Sequence, residues 1–268
     1  SNFISKESLY RDVLHGVTGV VQGGLNMISS TISRIVDGAG TVRDKVIRIL
    51  EELRKYMQQG IPELGIPILE PLVIERIELN IASPKIGRIQ GFANKVEVRG
   101  LSEFKIDYVN WDSRHRLTLN ITFPRIDVNG KYGISGEISR MINIHGNGPF
   151  WLKLRGLSIG AIAQFSHDMS HDPPNYISAM RIGIKLKKIN NNFSNLMNGT
   201  ELGQLFNEVV SKVAPEALDM LWPEIEPGIS RQVAGIINDK LKVFQLSGII
   251  GRLLNFFTMK QGRINVHT

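Results

Sequence analysis

The sequence predicts an α+β protein in which an antiparallel β-sheet surrounds one long C-terminal α-helix, with further helices at the N-terminus. Apolar residues recur at helical spacing in the first 59 residues and again from Glu201 to Phe244. Between these regions, from Leu72 to Ile189, apolar and polar residues alternate as they do in strands. No helical pattern separates the strands, which argues against a doubly wound parallel sheet.

Composition narrows the class of protein. The chain has 268 residues, 42% of them apolar, with a net charge of +7 and no cysteine. The absence of cysteine excludes disulfides, thiolate metal sites and cysteine nucleophiles. No apolar run reaches the roughly 18 to 20 residues that span a bilayer. Basic runs such as Lys185 to Lys188 are interleaved with apolar residues, so we interpret them as solvated faces and expect no nucleic-acid partner.

Residues 1–59 are predicted to form a helical extension. Val42 to Met57 has an apolar face opposite a charged face, which is typical of a surface helix. Val13 to Ile35 is also amphipathic, but its four glycines predict a weaker helix. Two prolines and two glycines between Gly60 and Pro67 end the helical region and lead into extended structure.

The alternating region is predicted to contain six to eight strands. Leu117 to Phe123 alternates strictly with polar residues, as a half-buried strand does. The other predicted strands are Phe104–Tyr108, Tyr132–Ile138, Phe150–Leu154, Ile159–Phe165 and Tyr176–Ile189. Turns are predicted at Asn129-Gly130, at Gly146 to Pro149 and at Asp172 to Asn175.

The segment from Glu201 to Phe244 is predicted to be one long helix with about 15 apolar residues on the side that the sheet covers. Pro215, Pro223 and Pro227 predict kinks or a break, because each removes a backbone donor. Residues 246–268 are predicted to form a C-terminal tail that packs on the domain.

Several short motifs occur in an order that resembles the takeout and juvenile-hormone-binding protein family of insects. The resemblance covers about residues 60–245. The motifs that carry it are Gly60–Pro67, Glu70-Pro71-Leu72, Gly100–Ile106, Gly130–Gly136, Gly146–Phe150 and Pro227 in the long helix. The chain departs from the family pattern by lacking an N-terminal cysteine pair, by having Glu70 where aspartate is usual, and by its longer N-terminal helical region.

The resemblance implies a strongly curved antiparallel sheet wrapped around the long helix, with an apolar tunnel between them, as in the tubular lipid-binding superfamily. It therefore implies that residues 60–245 form a takeout-like lipid-binding domain, with the sheet at 72–189 and the long helix at 201–244. The implied function is a non-enzymatic carrier of a juvenile-hormone-like terpenoid, a fatty acid or a carotenoid, with no cofactor and no metal.

The candidate ligand contacts are the apolar and aromatic residues expected to face this tunnel. They are Phe104, Ile106, Tyr108, Leu117, Leu119, Phe123, Tyr132, Ile134, Phe150, Leu152, Phe165, Phe206, Val209, Val210, Val213 and Trp222. The alternative is a membrane-associated lipid-transfer or interaction protein that docks through its amphipathic terminal helices.

Two further patterns bear on chemistry and location. His167 to Asp172 has the composition of a metal or serine site, but it precedes Pro173 at a predicted turn, where polar residues gather, so we expect no catalysis. Three glycosylation sequons, at Asn120, Asn192 and Asn198, favour secretion. The family resemblance implies that the compartment is haemolymph-like. A chain without cysteine leaves a cytoplasmic location open, and the oligomeric state is not predicted.

Overall fold

The computed structural model describes residues 25–62, 65–84, 87–243 and 247–262. Its helices are α1 (Leu25–Asp37), α2 (Val42–Tyr56), α3 (Glu201–Val243) and α4 (Ser247–Gly262). Its strands are β1 (Leu72–Ser83), β2 (Gly87–Arg99), β3 (Lys105–Trp111), β4 (Arg116–Ile138), β5 (Ile142–His167) and β6 (Asn175–Phe193). The part of the predicted first helix before residue 25 lies outside the described residues, and none of the described helices has the length and apolarity needed to cross a membrane.

The strands form one curved antiparallel sheet in the order β1-β2-β4-β5-β6, and β3 pairs with β4. The predicted α+β architecture is therefore confirmed, with six strands in the described part of the chain. Strands β4 and β5 have 23 and 26 residues and pair along the whole length of β4, from Arg116 opposite Gln164 to Ile138 opposite Ile142.

Two of the predicted turns are wrong. Asn129-Gly130 and Gly146 to Pro149 lie within the long pairing of β4 with β5. Gly130 is opposite Phe150, and a Cβ atom on Gly130 would lie 2.8 Å from Cε1 of that ring. The glycine there makes room for an aromatic side chain across the strands. The chain actually reverses next to Ser139 and Arg140, which have φ values of 53° and 58° without being glycine.

Midway along the sheet, successive inward-facing residues of β4 and β6 are three positions apart instead of the usual two. Buried Phe123 is followed by buried Ile126 in β4, and buried Leu186 by buried Ile189 in β6. Between them in β5 lies Gly156, with φ +64°. Because all three strands change together, their pairing register is unbroken at this level. The sheet can therefore curve while it keeps the same face towards the core.

Helix α3 continues through all three prolines, so a break there is wrong, while kinks at these residues stay a prediction. It runs along strand β6, and its polar side chains bond to the outer backbone groups of that edge strand. The Asn207 side chain accepts from the Phe193 N–H (2.7 Å) and donates to the Phe193 carbonyl (3.2 Å). Asn238 does the same at Ile177, at 2.8 and 2.9 Å. These bonds cover a sheet edge that otherwise presents unpaired groups.

Two of the other contacts between α3 and β6 meet at Ile182. Its N–H donates to Glu226 (3.0 Å), and its carbonyl accepts from the Trp222 indole N–H (2.9 Å). Glu226 also accepts from the Ser230 hydroxyl at 2.5 Å. That bond, together with the one from Ile182, holds the pKa of Glu226 below its ordinary value, although burial acts against them.

The prediction that one apolar stripe of α3 is covered throughout is wrong at its N-terminal half. Leu202, Leu205, Val209 and Val213 are each more than 40% exposed. The side of α3 that faces β6 is partly polar here, because Asn207 and Ser211 bond to the strand. The apolar residues of this half therefore lie on more than one face of the helix.

Two apolar clusters contain most of the buried apolar residues in the described part of the chain. The first joins the N-terminal helices and α4 to one end of the sheet, through the buried residues Ile32, Val36, Val42, Ile61, Trp111, Ala163, Phe165, Ile177, Ile249, Leu253 and Leu254. The second lies at the other end of the sheet, with buried residues Val96, Tyr132, Ile144, Phe150 and Leu196.

Candidate functional site

An apolar cavity of about 340 Å³ lies between helix α2, the residues Ile61, Ile66 and Leu69, and the inner surface of β4. It is the candidate functional site and is called here the α2 cavity. The sheet side of the lining comes from β4 and from Leu101 and Phe104, which precede β3. The cavity is lined by Leu50, Leu53, Arg54, Tyr56, Met57, Ile61, Ile66, Leu69, Leu101, Phe104, Leu119, Ile121 and Phe123. Its surface is almost wholly apolar, as is typical of a site for a lipophilic ligand.

Each wall of the α2 cavity follows from local sequence. Helix α2 begins with a capping box in which Thr41 and Asp44 bond to each other's backbone N–H. On the opposite wall, Leu119 and Phe123 point the same way because they are an even number of residues apart in β4. On the third wall, Ile61 and Ile66 exchange backbone hydrogen bonds of 2.8 and 3.0 Å.

Arg54 lies at the rim of the α2 cavity and links α2 to the sheet. Its guanidinium lies 3.7 Å from the centre of the Phe104 ring and donates to the Ser102 carbonyl. It also pairs with Glu51 at 2.8 Å, and this bond holds the pKa of Glu51 below its ordinary value. Phe104 in turn meets Phe123 edge to face, with ring centres 6.2 Å apart. A cation over an aromatic face is favourable and keeps the rim ordered.

Glu70 fixes the turn beside the cavity. Its carboxylate accepts from the backbone N–H of Gly100 at 3.0 Å and of Ser102 at 2.8 Å. Burial acts to raise the pKa of Glu70, but these bonds outweigh it and hold the pKa below its ordinary value. Gly100 has φ +97°, and a Cβ there would lie 2.2 Å from the Arg125 carbonyl oxygen. Two of the sequence motifs, at Glu70 and at Gly100, are thus in direct contact.

The predicted ligand contacts are divided between several places. Those that line the α2 cavity are Phe104, Leu119 and Phe123. Those in the second core cluster are Tyr132, Ile134, Phe150, Leu152 and Phe206. Those in the first cluster are Phe165 and Leu117. Half-buried elsewhere are Ile106, Val210 and Trp222.

Tyr108, Val209 and Val213 are exposed, at 48%, 43% and 46%. For Tyr108 the cause is a bulge in β3. Ile106 is opposite Ile121, but Tyr108 is opposite Asn120, so the register shifts by one residue between them. Val109 and Trp111 then point inward, at 2% and 7% exposure. The regular alternation expected for Phe104, Ile106 and Tyr108 therefore stops at Ile106.

Sequence patterns missed one wall of the α2 cavity. Leu50, Leu53 and Met57 were expected to form the apolar face of a helical extension, but they line this cavity together with the sheet. Their helical spacing predicted the buried face correctly, and nothing in it indicated the surface that the face covers. Asn207, Glu226 and Asn238 were missed because a single polar residue on an amphipathic helix gives no signal of a strand edge beside it.

The cluster from His167 to Asp172 is a bonded loop between β5 and β6. His167 Nδ1 is 2.7 Å from Asn175 Oδ1, and the ring of His171 stacks on Tyr176 with centres 3.7 Å apart. The Ser170 hydroxyl donates to Asp168 at 2.7 Å, so it is oriented towards a carboxylate and not towards a histidine base. Within the described ranges, no group of three or more histidine and carboxylate residues is arranged to hold a metal ion.

A family model and a solved structure both match this chain. A model of the family described as haemolymph juvenile hormone binding protein matches residues 20–251. The chain is similar to takeout 1 of Epiphyas postvittana, at 16% identity and a TM-score of 0.53, over 72% of this chain and 89% of that chain. It is also matched to a lipopolysaccharide binding protein, at 16% identity and a TM-score of 0.34, over 72% of this chain and 36% of that chain. No curated protein matches.

Proposed function

The chain belongs to the haemolymph juvenile hormone binding protein family, and from this premise we propose that it is a carrier that binds one lipophilic small molecule without transforming it. The observation that carries this proposal is the α2 cavity, a largely apolar space of about 340 Å³. A lipophile gains affinity there by leaving water for a preformed apolar surface.

The size of the α2 cavity bears on the ligand class. Ligand pockets in proteins span about 300 to 1,000 Å³, and this cavity lies near the lower end of that range. We therefore favour a compact terpenoid or a single fatty acyl chain over a carotenoid. Arg54 and Tyr56 contribute to this lining mainly through apolar atoms, so we expect the apolar part of the ligand to carry recognition.

The α2 cavity supports a ligand-binding site between α2 and the sheet. The tunnel between the sheet and α3 stays a prediction. The same holds for ligand contacts by residues of the second core cluster, such as Tyr132 and Phe206. Secretion is also part of the proposal. It is supported by the family and by the exposed side chains of Asn120 and Asn198 in two of the sequons.

The first experiment identifies the ligand. Purified protein is extracted with organic solvent and the extract is examined by mass spectrometry, and the extracted protein is then titrated with a fluorescent fatty acid and with terpenoid esters. We expect a bound lipophile, or saturable uptake of one of these probes. A protein that yields no lipophile and takes up none of the probes contradicts the proposal.

A cavity-filling variant tests the location. Leu119→Phe adds volume inside the α2 cavity, so we expect probe affinity to fall at least about tenfold while the fold is retained. The matched control is Leu117→Phe, two residues away on the same face of β4 but packed in the first core cluster. Equal affinities of the two variants would exclude the α2 cavity as the binding site.

A further inference from the structure

Strands β5 and β6 carry charge of only one sign. Their 26 and 19 residues include no aspartate or glutamate. They contain six lysines and arginines, which are Lys153, Arg155, Arg181, Lys185, Lys187 and Lys188. All six point to the outer face of the sheet, because the buried positions of these strands are others, such as Phe150 and Leu186. These six residues are called here the basic face.

Neighbouring acids neutralise the basic face only in part. Arg155 pairs with Asp127 at 2.9 Å, and Lys185 pairs with Asp219 at 3.0 Å. Arg181 lies near Glu226 and helps to lower the pKa of that carboxyl. Arg155 lies directly opposite Lys188 in the register of the two strands. Like charges in that position destabilise a sheet. Lys153, in contrast, lies opposite Asp127, which is a favourable pair. An anionic partner would relieve the repulsion that remains between Arg155 and Lys188.

The backbone around Gly156 helps to place Lys187 and Lys188 at the surface. Gly156 has φ +64°, and a Cβ there would lie 2.7 Å from Cδ of Lys187. The missing side chain lets the stem of Lys187 cross the neighbouring strand and leaves its amine at the surface. Lys187 and Lys188 are both exposed, since the skip in the inward pattern after Leu186 turns two consecutive residues outward.

Apolar groups accompany the basic face. Ile162 is 42% exposed opposite Arg181. Trp151 is half-buried on the same side, with the amine of Lys153 at 5.2 Å from its ring centre. Tryptophan beside lysine suits the boundary between lipid headgroups and water. A nucleic-acid site has no need of an exposed isoleucine, so the combination favours a lipid surface.

We propose that the basic face docks this protein on anionic phospholipid bilayers. The inference rests on the proposed carrier function, because a carrier that loads its lipophile from a membrane needs a surface to meet it. It differs from docking through the terminal helices. Ile249, Leu253 and Leu254 of α4 are buried in the first core cluster, so these three side chains already pack against the domain.

Vesicle flotation of the full chain tests this proposal. We expect binding to phosphatidylcholine vesicles that contain about 30% phosphatidylserine, none to phosphatidylcholine alone, and weakening from low salt to about 0.15 M. Lys187→Gln with Lys188→Gln removes two charges from the basic face, and we expect vesicle affinity to fall about thirtyfold. The matched control is Lys212→Gln with Arg231→Gln, which removes two exposed charges of α3.

Three outcomes overturn the proposal. They are a wild-type protein that ignores anionic vesicles, an equal loss in the two double variants, and tighter binding to a DNA duplex than to the vesicles. Probe uptake by the Lys187 and Lys188 variant is measured in parallel, and we expect it to be unchanged. A protein that floats with anionic vesicles but takes up no lipophile would contradict the carrier function and leave the docking face standing.

Discussion

Replacing Asn238 by leucine tests how α3 holds the edge of the sheet. In the wild type, this side chain bonds to both the N–H and the carbonyl of Ile177, which is 5% exposed. Leucine has nearly the same size but no polar atoms, so both backbone groups lose their partner. Each lost hydrogen bond costs about 0.5–1.5 kcal/mol, and a buried unsatisfied group about 1–3 kcal/mol. We therefore expect a loss of about 3 kcal/mol in the free energy of unfolding.

Urea unfolding and thermal melting measure this loss. At about 2–4 °C per kcal/mol for a chain of this size, the melting temperature should fall by about 6–12 °C. The control is Asn190→Leu, an exposed asparagine of β6, which should change stability by less than about 0.5 kcal/mol. Asn207→Leu, at the other end of the strand, should add to Asn238→Leu because the two sites share no partner. A loss below about 1 kcal/mol for Asn238→Leu would refute edge capping.

Two further variants address Glu226 and Gly100. Because the pKa of Glu226 is lowered in the folded protein, the unfolded chain binds a proton at this residue more readily. The contribution of Glu226 to the free energy of unfolding is therefore complete above pH about 4.5 and is lost as the pH falls through the folded pKa. In urea unfolding between pH 3 and 7, the free energy of unfolding should fall less with decreasing pH for Glu226→Gln than for wild type. Identical pH profiles of the two proteins would contradict this. Gly100→Ala should lower the free energy of unfolding by about 2–4 kcal/mol, because the added Cβ meets the Arg125 carbonyl at a residue with positive φ. The control Gly183→Ala should be nearly neutral, because open space surrounds that position. Similar melting temperatures for these two variants would contradict the prediction.

The fold was predictable from the sequence because periodicity changes with the type of element. Alternation identified β4 through Leu117 to Phe123, and helical spacing located α3 to within one residue at its C-terminal end. The turn predictions at Gly130 and Gly146 were wrong because glycine occurs both in turns and within strands where a neighbouring side chain needs room. At Gly146, a Cβ would lie 2.6 Å from the Tyr132 hydroxyl, so this glycine admits a neighbouring side chain within a strand.

The candidate site was predictable only in part, since it depends on contacts between distant segments. Phe104, Leu119 and Phe123 were correctly expected to face inward, but the surface opposite them is α2. Residues about 60 positions apart in the chain meet there, and no local pattern encodes such a distance. The bulge that exposes Tyr108 is equally invisible, because an extra residue in a strand leaves the composition unchanged.

The geometry of the α2 cavity predicts which part of the molecule a ligand stabilises. Helix α2 supplies Leu50, Leu53 and Met57 to the lining, whereas α3 supplies none of it. A lipophile that fills this space gives α2 contacts that it otherwise lacks, and at about 100 times Kd it adds about 2.7 kcal/mol to the free energy of unfolding. Hydrogen exchange should therefore slow most at the amides of α2 in the presence of the ligand, with little change from Leu202 to Val213. Protection centred on that half of α3 would instead favour the predicted tunnel between the sheet and α3.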